Sequence, residues 1–285
     1  MIISIASGKG GTGKTTVATN LALSITGDVQ LLDCDVEEPN DRFFIKPSIG
    51  KTEKVTIPVP EVDKSKCTLC GKCQKVCEYN AIAVIASKKD TQTGKVLIFP
   101  ELCHGCGACT YLCPQEAIRE VDRVIGVVEK GSKGGLEFVE GTLNIGEAMA
   151  PPLIRAVKRH INPEKTVIID APPGTSCPVI TAIKKSDFCV LVTEPTPFGL
   201  YDLTLSVDVL KKMGVPFGVV INRSGLGNEE VDRFCAKENI PILMKIPFSK
   251  EIASAYSNGE VIIDVLPQYR EMFCGLLTKI KMQVR

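Results

Sequence analysis

Gly8-Lys9-Gly10-Gly11-Thr12-Gly13-Lys14-Thr15-Thr16 follows directly on a short apolar run, Met1 to Ile5, and precedes a helical pattern. Strand, glycine-rich loop and helix in that order form a cradle for phosphate oxygens. Glycines let backbone N–H groups turn inward without a Cβ in the way. The helix then presents its positive N-terminal end to the same anion. Lys14 is placed to reach β- and γ-phosphates, and the Thr15 hydroxyl to ligate Mg²⁺. The stretch makes the first strand–helix unit of an α/β sheet, and the rest of the chain repeats that alternation.

Working outward, Val17, Leu21 and Ile25 give a helix over 15–26 with Gly27 as its stop. Val29 to Asp33 reads as a buried strand that ends in Asp33-Cys34-Asp35-Val36-Glu37-Glu38-Pro39-Asn40. Thr166 to Asp170 is a second buried strand ending in an aspartate, a Walker B pattern with Asp170 set to hold Mg²⁺ through water. In an open parallel sheet such carboxylates face the ligand crevice. Further strands are expected at 188–193, 217–221 and 242–246, a helix at 201–213 and another over 151–160. Residues 43–60 are rich in Pro and Lys and read as an irregular connection out of the main domain. The amphipathic stretch 271–281 is expected to pack on the sheet rather than lie on a membrane.

Between these parts the chain repeats itself. Cys67, Cys70, Cys73 and Cys77 recur thirty-six residues later as Cys103, Cys106, Cys109 and Cys113, with Gly71 matching Gly107 and Ala81-Ile82 matching Ala117-Ile118. Each copy is C-x₂-C-x₂-C-x₃-C, and eight cysteines in two sets of four fit a single tetrahedral zinc poorly. The run resembles that of bacterial two-cluster ferredoxins, in which the fourth cysteine of each run ligates the other cluster. That resemblance implies one 4Fe–4S cluster on Cys67, Cys70, Cys73 and Cys113, and a second on Cys103, Cys106, Cys109 and Cys77. Pro114 follows Cys113 as the motif expects, whereas Glu78 follows Cys77. His104 is expected to be a solvated loop residue.

The second lysine of the opening loop, Lys9, adds another resemblance. Lys9-Gly10-Gly11-Thr12-Gly13-Lys14-Thr15 resembles the deviant Walker A motif of MinD/ParA-type ATPases. The resemblance implies a homodimer in which Lys9 reaches the partner's nucleotide and neutralises charge in trans, as an arginine finger does. It implies Asp35 as the residue orienting the attacking water and Asp33 as its neighbour near Mg²⁺. It also implies Gly174, in Ala171-Pro172-Pro173-Gly174-Thr175, as the γ-phosphate sensor, Asn222 as a base reader, and the loop from Pro247 along the base. The MinD/ParA likeness covers about 1–58 and 124–285, and the ferredoxin likeness covers the insert 59–123. The return near Arg123 is expected at a different edge of the sheet from the exit.

Thirteen cysteines in 285 residues, behind an N-terminus without a signal-like segment, suggest metal in a cytoplasmic protein rather than disulfides. A net charge of +1 gives no electrostatic case for nucleic acid, and no apolar run approaches the ~20 residues of a membrane span. Of the remaining cysteines, Cys189 reads as core and Cys177 as a buried residue after the Gly174 segment. The expected fold is α/β, a mostly parallel wrapped sheet of the P-loop NTPase type with an inserted α+β ferredoxin-like domain. The expected ligands are ATP or ADP, Mg²⁺ and two 4Fe–4S clusters. The leading expectation is ATP-gated electron transfer to a redox partner. A carrier that delivers clusters to an apo-protein acceptor, and a MinD/ParA-like spatial organiser with a redox-sensing insert, are its rivals.

Overall fold

A computed structural model describes residues 1–86 and 94–284; residues 87–93, inside the expected insert, and Arg285 lie outside the described set. The strands are β1 (Ile2–Ala6), β2 (Val29–Asp33), β3 (Ser48–Val62), β4 (Ile82–Ala86), β5 (Gly94–Ile98), β6 (Ile118–Lys133), β7 (Leu136–Leu143), β8 (Thr166–Asp170), β9 (Phe188–Thr193), β10 (Phe217–Ser224) and β11 (Ile242–Pro247). The helices are α1 (Lys14–Ser24), α2 (Asp41–Ile45), α3 (Lys72–Val76), α4 (Ala108–Tyr111), α5 (Ala150–Lys158), α6 (Cys177–Ile183), α7 (Pro197–Met213), α8 (Glu230–Lys237), α9 (Lys250–Ser257), α10 (Ile262–Val265) and α11 (Gln268–Gln283). The chain divides into two compact units.

The nucleotide unit comprises Met1–Glu53, Val128–Thr142 and Leu153–Arg285. It contributes β11, β10, β9, β1, β8, β2, β7 and parts of β6 and β3 to the nine-stranded sheet, whose order is β11-β10-β9-β1-β8-β2-β7-β6-β3, with parallel pairing from β11 through to β7. The central strands are buried along nearly their whole length, Ser4 and Gln30 included, because helices cover both of their faces. α11 puts Tyr269, Phe273, Leu276 and Ile280 into the core around α1. Asn20 Oδ1 of α1 accepts the Ile263 N–H at 3.0 Å, and Arg270 donates to the Leu23 carbonyl at 2.9 Å. The amphipathic C-terminal helix is thus used against the sheet. No helix among the described residues is long and apolar enough to cross a membrane.

Two expectations are corrected here. Residues 43–60 are not irregular: they hold the end of α2 and most of β3. Val55, Ile57 and Val59 alternate inward along that strand. Pro58 and Pro60, which lack a ladder donor, are tolerated because β3 is the edge strand. The chain also does not return at a different edge, since β6 lies directly beside β3. β6 then turns through Gly134-Gly135, with Gly134 at φ 57, into β7.

The cysteine unit comprises Lys54–Val127 and Leu143–Pro152. Its sequence repeat is a backbone repeat as well. Left-handed residues fall at Leu69 (φ 56) and Gly105 (φ 63), at Gly71 (φ 75) and Gly107 (φ 73), and at Asn80 (φ 52) and Glu116 (φ 48). α3 and α4 begin directly after Gly71 and Gly107. β4 and β5 pair antiparallel, Ile82 opposite Ile98. Arg123 forks onto both carboxylate oxygens of Glu147 and ties the later segment to this unit.

Candidate functional site

The loop after β1 closes onto α1 through Gly13, which is left-handed at φ 95 and would put a Cβ 2.3 Å from Asn222 Nδ2. Gly8 is equally constrained: a Cβ there would sit 2.4 Å from the Asp202 carbonyl oxygen. α1 has no side-chain cap at its N-terminus, so its first amides face the loop. Lys14 is buried, and its Nζ lies 3.8 Å from Asp35 Oδ2. Thr12 is buried with its hydroxyl unpartnered.

Parallel register then brings the acids together. Asp33 at the end of β2 stands opposite Asp170 of β8 on one side and Glu140 of β7 on the other. Asp33 accepts the N–H groups of Asp35 at 3.0 Å, Asn40 at 3.0 Å and Asp41 at 3.1 Å, which folds the segment after β2 around it. Thr15 donates its hydroxyl to Asp170 Oδ2 at 2.7 Å, while Asp170 Oδ1 is buried without a partner. Burial and the neighbouring Asp170 push Asp33 well above the usual carboxylate range. Burial and Asp33 do the same to Asp41. Burial raises Asp170 too, against Lys14 and the Thr15 hydroxyl. Asp35 is pushed up to about 7 by burial, with Lys14 holding it down, and burial takes Glu140 to about 7 against Arg42. A divalent cation relieves such crowding. The orphaned Asp170 oxygen beside the Thr15 hydroxyl fits Mg²⁺ held by these two residues.

A hollow opens beside the loop, lined by Gly11, Gly13, Thr16, Asn222, Pro247 and residues of α9, including Tyr256. Asn222 lines it but is already engaged: Nδ2 donates to the Thr12 carbonyl at 2.8 Å and Oδ1 accepts the Arg223 N–H at 2.9 Å. It braces the loop against β10. Gly174, at φ 98, donates its N–H to the Ser7 carbonyl at 2.9 Å. Lys9 is held within the chain by Glu194, Nζ to Oε1 at 2.5 Å, and Arg223 takes Oε2 of the same carboxylate at 2.9 Å. Sequence reading missed Glu194, Arg223, Phe248 and Tyr256. Glu194 had one signal: an acid directly after β9, at the ligand end of a parallel strand.

In the cysteine unit, one hollow is lined by Cys67, Cys70, Cys73 and Cys113 among Val62, Val84, Val96 and Ile118. A second is lined by Cys77, Cys103, Cys106 and Cys109. Ala81 and Ala117 direct their N–H groups at Cys77 Sγ and Cys113 Sγ, each at 3.3 Å. Burial pushes the Cys73, Cys103 and Cys109 thiols up, so bound cations are what would keep them thiolate. Among the described residues no three Cys, His, Asp or Glu side chains converge tightly enough to hold one metal ion. Four cysteine thiols line each hollow, a donor set of the number a four-iron cluster takes. His104 is an exposed loop residue, as expected, and its ring also stacks on Tyr79 with centroids 3.5 Å apart and planes 5° apart. Cys177, expected buried, is exposed at the start of α6, while Cys34, Cys189 and Cys235 are buried.

Comparison with known proteins matches residues 3–262 to the CobQ/CobB/MinD/ParA nucleotide binding domain. The chain is 31% identical over 287 residues to an uncharacterized protein of Methanocaldococcus jannaschii, covering 99% of this chain and 96% of that one. It is 27% identical over 284 residues to an iron-sulfur cluster carrier protein of Pyrococcus horikoshii, covering 92% and 78% respectively. The solved septum site-determining protein MinD of Pyrococcus horikoshii, complexed with Mg-ADP, superposes with a TM-score of 0.60 at 20% identity over 98% of this chain and 95% of that one.

Proposed function

The chain belongs to the CobQ/CobB/MinD/ParA nucleotide-binding family and is a P-loop ATPase; from that premise we propose that it is an ATP-dependent iron–sulfur cluster carrier or assembly factor. The observation that carries this reading is the sorting of eight cysteines into two hollows of four, each mixing the two sequence runs. The likeness to iron-sulfur cluster carrier proteins supports it. Cys70 and Cys106 are the exposed members of the two sets. An acceptor thiolate displaces a ligand most readily where the ligand is reached from solvent. The clusters are then cargo, and the ferredoxin-like unit is their holder.

In this reading Lys14 binds the β- and γ-phosphates, with Gly10, Gly11, Thr12, Gly13 and Thr16 completing the loop around them. Thr15 and Asp170 would hold Mg²⁺, which would supply neutralisation of the phosphate charge. Asp33 fixes the segment that presents Asp35 to the attacking water. The loop from Pro247 and residues of α9 enclose the base, with Asn222 bracing the phosphate loop beside it. Two copies of the chain meet over their nucleotides, and Lys9 of each acts on the other's. Gly174 can answer to the γ-phosphate only after its N–H leaves Ser7.

The test is anaerobic. Purified chain should carry about eight irons and eight sulfides. It should activate an apo-4Fe–4S enzyme such as apo-aconitase faster with Mg-ATP than without, and Lys14→Ala should remove that increment. Cys77→Ser should cost the cluster shared with Cys103, Cys106 and Cys109, leaving about half the iron. Bound zinc without sulfide would sink the cluster assignment. Electron transfer remains the second reading, favoured by the ferredoxin-like doubling of the cysteine run. It predicts electrons passed to an acceptor with no iron lost.

A further inference from the structure

Glu194 has two cations and one carboxylate, and the arrangement is uneven. Lys9 sits on Oε1 at 2.5 Å and Arg223 on Oε2 at 2.9 Å. The Glu194 side chain is 11% exposed, whereas Lys9 is 31% exposed. The carboxylate cannot follow a departing lysine. Glu194 follows directly on β9, its backbone carbonyl accepts the Thr196 N–H at 2.8 Å, and α7 packs so closely that a Cβ at Gly199 would lie 2.2 Å from that carbonyl oxygen. Arg223 belongs to β10, which is paired to β9, so it stays with the carboxylate. Burial raises the Glu194 carboxyl, and the two cations outweigh burial and hold it below its usual range.

We infer that Glu194 is a positioning residue for the ATPase, holding Lys9 in its own chain until a second copy takes it, with Arg223 as the cation that keeps Glu194 paired afterwards. The inference rests on the trans role of Lys9 given above. Its physical core is the cost of stranding a charge. Removing one partner of a buried ion pair leaves an uncompensated charge and is strongly unfavourable. A carboxylate with two cations on separate oxygens gives one up at lower cost. Lys9 is the partner that can go, because it lies on the phosphate loop, whereas Arg223, although its side chain is 47% exposed against 31% for Lys9, is carried on β10. Arg223 also lines the hollow beside the phosphate loop, so nucleotide there lies against the retained cation.

Glu194 and Arg223 therefore act with opposite signs on one equilibrium. The experiment follows ATP-dependent dimerisation by sedimentation, and ATP hydrolysis, against chain concentration at saturating Mg-ATP, on the full, anaerobically purified protein. Glu194→Gln should lower the chain concentration for half-maximal dimer and hydrolysis about tenfold, which is ~1.4 kcal/mol. Arg223→Ala should raise it by a similar factor, because Lys9 then leaves a bare carboxylate. In the double variant Glu194→Gln/Arg223→Ala the Arg223 defect should vanish. Glu194→Asp, which keeps the charge but draws it back by one methylene, should shift the midpoint less and in the same direction as Glu194→Gln. A midpoint unmoved or raised by both Glu194 variants overturns the inference, as does an Arg223 defect that survives in the Glu194→Gln background. Lys9→Ala separates the layers. Native-rate hydrolysis by Lys9→Ala removes the trans reading itself, whereas an inactive Lys9→Ala with an unshifted Glu194→Gln removes only the holding role.

Discussion

In the nucleotide unit the central strands are buried on both faces and the site residues already have partners within the chain: Lys9 with Glu194, Lys14 with Asp35, Thr15 with Asp170, Asn222 with Thr12. In the cysteine unit the thiols face hollows, and the buried apolar side chains among the described residues are few and small or aliphatic, among them Val55, Ile57, Ala81, Ile82, Ala117 and Ile118. The first unit folds on apolar burial, and its site forms where strand register collects charges. The second has little core to fold on, and small units of that kind depend on metal or other staples. In the proposed reading one unit positions its ligand, and the other is held in shape by the clusters it carries.

The largest expected effect follows from that contrast. Stripping iron by chelation under reducing conditions should abolish hydrogen-exchange protection across β4 and the start of β6 while leaving β1, β8 and β9 protected. Loss of protection in both units, or in neither, would erase the distinction. Next in size, Phe138→Ala in the core of the nucleotide unit should cost about 3–5 kcal/mol, read as a lowered denaturant midpoint with iron content per folded chain unchanged. Lys14→Ala should weaken ATP binding by about a hundredfold, ~3 kcal/mol, the upper range for a hydrogen bond to a charged group. Calorimetric titration reads that loss, and the cysteine unit should keep its clusters.

The smallest effect concerns pH. Asp35 has its carboxyl raised to about 7 by burial, against about 3.9 in an unfolded chain. Between those values the native state binds more proton than the unfolded state, so stability falls as pH rises from about 4 to 7 and then levels. Asp35→Asn should flatten that slope, measured as denaturant midpoints across the window. The effect should be confined to the nucleotide unit. A steeper slope in the variant would mean that Asp35 is stabilised as the anion, contrary to its burial.

The legible parts of the fold were those with local signals. The glycine loop, the strands ending in Asp33 and Asp170, and the cysteine repeat each carry their meaning within a few residues. β3 was misread because Pro58 and Pro60 look like breakers, although Val55, Ile57 and Val59 alternate with period two. Only the sheet order shows that prolines there cost no ladder bond, because the strand is an edge. The Lys9–Glu194 pair spans 185 positions in sequence and has no local trace. The Tyr79–His104 stack joins the two repeats at positions that do not correspond, since Tyr79 aligns with Gln115. Repeat logic could not predict it.

The central claim is that ATP drives cluster delivery, and the most direct test is a balance of iron against turnover. The ⁵⁷Fe-loaded chain is incubated anaerobically with Mg-ATP and excess apo-aconitase, and iron on chain and acceptor is counted as phosphate accumulates. Iron should leave the chain and appear on the acceptor in step with hydrolysis, with no such transfer by Lys14→Ala. Iron retained in full on the native chain through many turnovers would contradict that claim and leave electron transfer as the function of the cysteine unit.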